Sequence, residues 1–414
     1  MLNCIYKIFT KIITDRIETI LDQNQPVEQA GFRRGFSTID HLHTVNQVIE
    51  KCHEYQVPLV MAFVDYTKAF DSVKTSAIVD SVKDQGVDQV YVEIFRHIYT
   101  NARAHVKLNG ASEPFSLRKG VRQGDTSSPK LFTAILESVF RRLNWEEKGI
   151  VINGKFLSHL RFADDIVVFS HSCSQIQTML EELDVAGKIS GLQINGNKTK
   201  FMKNPSLISS TPLLLNGIPI ECVDEYIYLG QKITMDSSKD KEVSRRISAG
   251  WQAFGKASWI LKDQKTSLSL KRKLYDKCIL PSVVYGAETW NLSKNMERKL
   301  RSMQRAHERL MVGVSLRDHK TSEWIREKTR ITDILDHIRR RKWRWARHVA
   351  RMTDSRWTEV VTFWTLYGQR RRRGRQRIRW RDDLDRYLSL WHRTAWDRGV
   401  WRSEEEAYVR LRNF

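Results

Sequence analysis

The sequence predicts a mixed α/β protein that becomes helical and strongly basic toward its end, and three observations predict it. Between about Phe32 and Pro205, apolar runs of strand length alternate with helical patterns. From about Leu213 to Ile233 the pattern changes to short apolar strands separated by Asn216-Gly217, a hairpin-type turn. Beyond Asp236 it is helical and basic, and Pro281 is the only proline after Pro219, so nothing there blocks long helices.

At 414 residues and 48.6 kDa the chain is too long for one compact core, and at roughly 100–200 residues per domain it suggests about two to four units. Residues Ile5 to Leu21 place Ile8, Phe9, Ile12, Ile13, Ile17, Ile20 and Leu21 at helical spacing, the stripe of a buried helix face. That helix starts almost at Met1 with no lead-in, as expected of a piece of a longer polyprotein.

A net charge of +22 and a pI near 9.8 point to a polyanionic partner, because such a field does nothing for a small neutral metabolite. An acidic membrane surface is the competing partner. No apolar run approaches the ~20 residues of a spanning helix, and the basic stretches lack a sustained apolar face, so nucleic acid is expected and a membrane is not. The five cysteines (Cys4, Cys52, Cys173, Cys222, Cys278) are scattered and odd in number, which writes neither a disulfide framework nor a zinc knuckle and suits a reducing compartment. Lys7 and Lys11 interrupt any secretory apolar core, so a nuclear or cytoplasmic location is expected.

The tail carries two cationic runs, Arg339-Arg340-Arg341-Lys342-Trp343-Arg344-Trp345 and Arg370-Arg371-Arg372-Arg373-Gly374-Arg375. Alone, either run reads equally as a solvated helix face whose Arg stems cover apolar surface. Two such runs with Trp343, Trp345 and Trp380 interleaved favour phosphate contact, with Arg370, Arg371, Arg372 and Arg373 as nucleic-acid-binding residues, together with stacking on bases.

Three carboxylates carry the chemistry. Leu59 to Val64 is an apolar run of buried-strand type that stops at Asp65, and Thr67 to Val73 begins a helical pattern, so Asp65 sits at a strand's carboxyl end beside an open crevice. Taken alone it reads as a helix cap. Leu160 to Phe169 reads as strand, tight turn, strand, with Asp164 and Asp165 at the tip; taken alone, an ordinary turn. Together, two carboxylates on a tip beside a strand-end Asp suit divalent cations, since neighbouring like charges otherwise repel. Three carboxylates can hold two magnesium ions about 3.5–4 Å apart for in-line displacement at phosphorus, the chemistry of nucleotidyl transfer. Between them, Gly120 to Phe132 combines two glycines with Ser128-Pro129, a helix-start signal, and a Gly loop feeding a helix can receive a nucleotide.

The order and wording of these motifs resemble the reverse transcriptases of non-LTR (LINE-type) retrotransposons. Phe63-Val64-Asp65-Tyr66-Thr67-Lys68-Ala69-Phe70-Asp71 resembles that family's first palm motif, Arg122-Gln123-Gly124-Asp125 with Ser128-Pro129 its second, and Phe162-Ala163-Asp164-Asp165 its third. Upstream, Tyr6 to Lys11 and Gln29-Ala30-Gly31-Phe32-Arg33 with Ser37-Thr38 resemble the fingers motifs. Downstream, Gly191 to Asn195 with Lys198-Thr199, and Tyr228-Leu229-Gly230, resemble the fourth palm motif and the primer grip. The Arg- and Trp-rich tail is similar too, so the resemblance runs almost end to end.

The resemblance implies an α/β right-hand polymerase with an antiparallel palm sheet: fingers and palm over 1–205, a primer-grip hairpin over 206–235, a helical thumb over 236–325 and a helical basic extension over 326–414. It implies RNA-directed DNA polymerisation, with dNTPs added to a DNA primer on an RNA template. Asp65, Asp164 and Asp165 would hold two Mg2+ ions, with Mn2+ as the substitute. Phe70 would be the gate against a ribose 2′-hydroxyl, a role compatible with its also being a core residue. Gln123 and Gly124 would lie against the incoming nucleotide and Arg33 at its triphosphate, Lys198 would protonate departing pyrophosphate, and Tyr228, Leu229 and Gly230 would grip the primer. The fingers segment that precedes the first helix in the family, and its apurinic-type endonuclease, are not in this sequence, so the chain is not expected to nick its own DNA target. Two alternatives stay open at this level: a non-catalytic nucleic-acid-binding relic, and a group II intron-type maturase, which shares the palm motifs. Against the maturase, the tail shows a Trp/Arg segment and no zinc-nuclease pattern.

Overall fold

The computed structural model describes residues 2–108, 110–207, 212–366, 371, 374 and 376–410. They form two compact units, one of Met1–His41, Gln56–Asp224 and Ser355–Tyr367, the other of Leu42–Tyr55, Glu225–Asp354 and Gly368–Phe414.

Five strands make the sheet of the first unit: β1 (Val60–Val64), β2 (His159–Phe162), β3 (Asp165–Ser170), β4 (Lys200–Lys203) and β5 (Glu221–Cys222), in the order β5-β4-β1-β3-β2. Neighbours are antiparallel except β4 and β5, as the resemblance implied for a palm. β1 is central and buried along its whole length, which is why its sequence is a continuous apolar run rather than an alternation. Val60, Ala62 and Val64 join the core formed with α2 (Thr75–Asp84), α3 (Gln89–Thr100), α4 (Ser128–Phe140) and α5 (Cys173–Ser190), and by strand periodicity Met61 and Phe63 are buried on the opposite face. α4 starts at the Ser128-Pro129 signal and is buried on nearly every side, through Leu131, Phe132, Ile135 and Val139 among others. Asn216 and Gly217, at φ 50° and 79°, form the expected turn between Leu214–Leu215 and Ile218–Pro219.

The amino-terminal helix α1 (Cys4–Gln23) is present, but its buried face differs from the expected stripe. Ile13, Ile17 and Leu21 are buried, whereas Ile8, Phe9 and Ile12 are exposed and Thr10 and Thr14 take buried positions. The threonines can do so because each hydroxyl donates to the carbonyl one turn back, Thr10 to Tyr6 at 3.1 Å and Thr14 to Thr10 at 2.7 Å, leaving no unpaired donor inside.

In the second unit, β6 (Glu225–Tyr228) and β7 (Gln231–Thr234) form a hairpin, followed by α6 (Asp240–Lys256), α7 (Lys294–Val312), α8 (Ile334–Ala350) and α9 (Arg398–Arg410). Pro281 lies just past a π-helical turn at Tyr275–Ile279, so the helical run from Leu268 to Val284 is distorted there and not broken. Residues 206–235 thus hold two separate hairpins, with the division between units at 224/225.

The first cationic run corrects one expectation. Trp343 is 0 % exposed and stacks on Trp401 with ring centroids 3.8 Å apart, while Trp380 is buried with Nε1 donating to the Glu288 carbonyl at 2.8 Å. Trp345 donates to His43 Nδ1 at 3.2 Å, so none of the three rings is presented for stacking on bases. Their neighbours are neutralised internally: Arg339 by Glu297 at 2.9 Å, Lys342 by Asp383 at 2.8 Å and Arg344 by Glu405 at 2.8 Å. The physical reason is that Trp343 and Trp345, two residues apart, point to nearly opposite sides of α8 and are covered by different partners, Trp401 and His43, while acids far along the chain meet the cations.

Candidate active site

β1 delivers Asp65, and the β2–β3 hairpin delivers the other two carboxylates. Val64 pairs with Ile166 and Phe162 with Asp165, so continuing the antiparallel register one residue sets Asp65 across from Asp165, with Ala163-Asp164 as the two-residue turn. The backbone of Asp65 is held from the segment beyond α5: its N–H donates to Thr199 Oγ1 at 3.2 Å and its carbonyl accepts from Asn195 N–H at 2.8 Å. Strand end and hairpin tip are therefore fixed next to each other by main-chain pairing, independent of side-chain rotamer.

The electrostatics are those of crowded acids. Burial, then the Asp164 and Asp65 charges, push the Asp165 carboxyl up to about 6; burial and Asp65 also raise Asp164. Asp165 is exposed at its tip, Asp164 half-buried. Asp65 Oδ1 is enclosed without a hydrogen-bond partner, and the nearest cation is Lys198 Nζ at 4.0 Å, whose side chain is 68 % exposed. An orphaned carboxylate oxygen beside two acids of raised pKa fits a divalent cation, which would replace both the missing partner and the bound proton. Among the described residues, no three metal-ligating side chains already stand in ion-holding geometry.

The other expected residues of this unit lie as follows. Phe70 is partly buried and stacks on Phe132 of α4 at 4.3 Å, and its carbonyl accepts from Val121 N–H at 2.8 Å, tying it to the loop that carries Gln123 and Gly124. Both loop residues are exposed, and Gly124 sits at φ 80°. Below that loop Asp125 is buried and accepts from Tyr6 Oη at 2.9 Å, so the fingers motif at Tyr6 anchors the second palm motif. Arg33 donates to the Pro26 carbonyl at 2.6 Å and lies over the Phe36 ring at 4.5 Å.

In the second unit, Leu229 and Gly230 form the β6–β7 turn at φ 43° and 73°, Tyr228 is buried, and the Leu229 carbonyl accepts from Tyr285 Oη at 2.8 Å. Arg370, Arg372 and Arg373 lie outside the described residues; Arg371 is ion-paired with Glu54. Two residues that spacing did not single out for the site hold its backbone: Thr199, and Gln29, whose Oε1 accepts from Ala163 N–H at 3.3 Å. The only sequence signal for either was its place in the motifs quoted above, Lys198-Thr199 and Gln29 to Arg33, which does not say what its side chain holds.

Comparison with known proteins gives the family. The model for reverse transcriptase (RNA-dependent DNA polymerase) matches residues 1–233. An uncharacterised transposon-derived protein of Caenorhabditis elegans is 34% identical over 269 residues, 60% of this chain and 95% of its own length. The retrovirus-related Pol polyprotein of the type-2 retrotransposable element R2DM of Drosophila melanogaster is 28% identical over 64% of this chain and 26% of its own length. The RNA-directed DNA polymerase of the Drosophila melanogaster mobile element jockey is 26% identical over 73% and 34%. The chain thus spans only about a quarter to a third of these polymerase-bearing relatives. Among solved structures, apo telomerase from Candida tropicalis aligns over 86% of this chain and 62% of that one, with a TM-score of 0.43 at 12% identity. With more than half its length matched by the family's model, the chain belongs to the reverse transcriptase (RNA-dependent DNA polymerase) family.

Proposed function

We propose that this chain extends a DNA primer on an RNA template, with Asp65, Asp164 and Asp165 as the ligands of two Mg2+ ions, or Mn2+ in their place. The observation that carries the reading is the register, five residue pairs long from Val60 to Val64, that sets Asp65 across from Asp165. Bound divalent ions supply charge neutralisation at the reacting phosphate. The protein's own part is positioning. Asp65 is fixed by Thr199 and Asn195, Phe70 is braced against Phe132 at the edge of the nucleotide loop, and Gln123-Gly124 present backbone to the incoming dNTP. Arg33 serves the triphosphate, and Lys198, in reach of Asp65 and open to solvent, delivers a proton to the leaving pyrophosphate. Tyr228, Leu229 and Gly230 hold the primer, and an RNA–DNA heteroduplex is recognised by its A-form backbone. The reading is tested by magnesium-dependent extension of oligo-dT on poly-rA: wild type must exceed Asp165→Ala.

The raised Asp165 pKa predicts a linkage between pH, metal and stability. The native state takes up this proton more tightly than the unfolded chain, so the apoprotein gains stability as pH falls from about 6 toward 3.8 and loses it as pH rises through about 6. Full desolvation would make this about 3 kcal/mol, and solvent screening of an exposed tip leaves on the order of 1 kcal/mol. Magnesium, which needs the deprotonated carboxylate, should therefore raise the unfolding midpoint more at pH 7.5 than at pH 5. Equal increments at the two pH values would contradict it.

For the tail we propose phosphate contact by Arg370 to Arg373. Neutralising the four should flatten the dependence of log affinity on log salt by roughly 0.7–0.9 per lost contact, and an unchanged slope would count against the idea. Glu54 already takes up Arg371, so that residue is expected to contribute less than a free guanidinium would.

A further inference from the structure

Behind the carboxylate turn, the segment Glu28–Gly31 lies against β2 as if it were another strand. Arg161 N–H donates to the Glu28 carbonyl at 2.8 Å, and Ala30 N–H to the Arg161 carbonyl at 2.9 Å. At the end of this ladder the side chain of Gln29, 0 % exposed, turns toward the tip. Its Oε1 accepts from two backbone donors, Gly31 N–H at 2.9 Å and Ala163 N–H at 3.3 Å, whereas its Nε2 is enclosed with no partner. Two converging N–H groups require an acceptor at that position, which fixes the orientation of the amide.

Ala163 needs such a restraint. It sits at φ 56°, a left-handed conformation that is unfavourable for a residue with a Cβ, and it immediately precedes Asp164. Gly31 adds a steric restraint of its own: a Cβ there would stand 2.4 Å from Ala163 N and 2.9 Å from the Phe162 carbonyl carbon, both backbone atoms that cannot swing aside. A hydrogen bond that holds the turn and a gap that only glycine leaves thus converge on one peptide.

We propose that Gln29 and Gly31 are positioning residues that lock the strained Ala163 turn, and thereby set where Asp164 and Asp165 present their oxygens to divalent cations. This rests on the assignment of those acids as metal ligands. Neither residue touches substrate. They act through the backbone of the hairpin, and their loss should be felt first as weaker metal binding.

The test compares Gln29→Met, which keeps the size and removes the acceptor, with Gln29→Glu, which keeps an acceptor and, as the neutral acid that burial beside Asp164 and Asp165 favours, exchanges the unpartnered Nε2 for a hydroxyl. Gly31→Ala is the independent second variant. Two measurements are made on the full chain: the magnesium concentration for half-maximal thermal stabilisation, which needs no turnover, and magnesium-dependent primer extension. Removing an outer support of a metal ligand typically costs ~10–100-fold in affinity or activity. Gln29→Met and Gly31→Ala are expected to raise the half-saturating magnesium concentration by roughly tenfold, within that range, with heteroduplex affinity within about twofold of wild type. Gln29→Glu should recover most of the loss. An unchanged magnesium midpoint in Gln29→Met, or equal loss in Gln29→Met and Gln29→Glu, would overturn the lock. A magnesium midpoint that Asp165→Ala leaves unmoved would instead overturn the metal-ligand assignment itself.

Discussion

Asp65→Ala and Asp165→Ala should each reduce primer extension by roughly a thousandfold or more while leaving affinity for template–primer within about twofold, since a group that acts only on the reacting phosphate contributes to the transition state and not to binding. Both changes are safe for the fold: Asp165 is exposed, and removing Asp65 deletes a carboxylate oxygen that already lacks a hydrogen-bond partner. Relieving the crowding of acids should even stabilise the metal-free protein slightly. Lys198→Ala makes the useful contrast. A positioned general acid contributes about 10²–10⁴, but a side chain this exposed can be replaced by water, so a loss on the order of tenfold is expected there. If wild type extends no better than Asp165→Ala, the chain is a nucleic-acid-binding relic and not a polymerase. If Lys198→Ala is as damaging as Asp65→Ala, that lysine has a larger part in the reaction than its exposure allows.

Much of the site was legible because its determinants are local. An apolar run ending in Asp65, and two apolar runs flanking Asp164-Asp165, specify strand ends and a turn whatever the rest of the chain does, and the structure places the two on neighbouring strands. Asn216-Gly217 declared its turn in the same way. What escaped depends on partners distant in sequence. Gln29 acts on a peptide 134 residues away. Trp343 is buried because Trp401 and Tyr408 lie against it, and the cations around it are matched by Glu297, Asp383 and Glu405. On α1 part of the expected stripe is buried, Ile13, Ile17 and Leu21, whereas Ile8, Phe9 and Ile12 are displaced from the interior by Thr10 and Thr14, which satisfy their hydroxyls locally. A pattern of apolar residues tells how a helix is phased; which side is covered is decided by what arrives there.

The largest loss of stability is expected from Glu137→Ala. Arg161, on β2 three residues before Asp164, is 1 % exposed. One nitrogen donates to Glu137 Oε2 at 2.7 Å and the guanidinium lies over the Phe140 ring at 4.2 Å, while Nε and Nη1 have no partner. Removing the carboxylate that, among the described residues, is the only one paired with it would strand a buried cation, at about 3–5 kcal/mol. For a unit of this size that lowers the unfolding midpoint by roughly 10 °C. The pair is asymmetric, however: Glu137 Oε1 also accepts from Arg141 Nε at 3.0 Å, and Arg141 is half in solvent. Arg161→Met therefore leaves a carboxylate that still has a partner and should cost distinctly less than Glu137→Ala. The double change Arg161→Met with Glu137→Leu should recover most of the stability, because apolar replacement of both members removes the desolvation penalty along with the attraction. Urea unfolding of the three variants decides it. Equal losses in the two single variants would mean that packing against Phe140, and not the stranded charge, sets the stability of the layer beneath the Asp164-Asp165 hairpin.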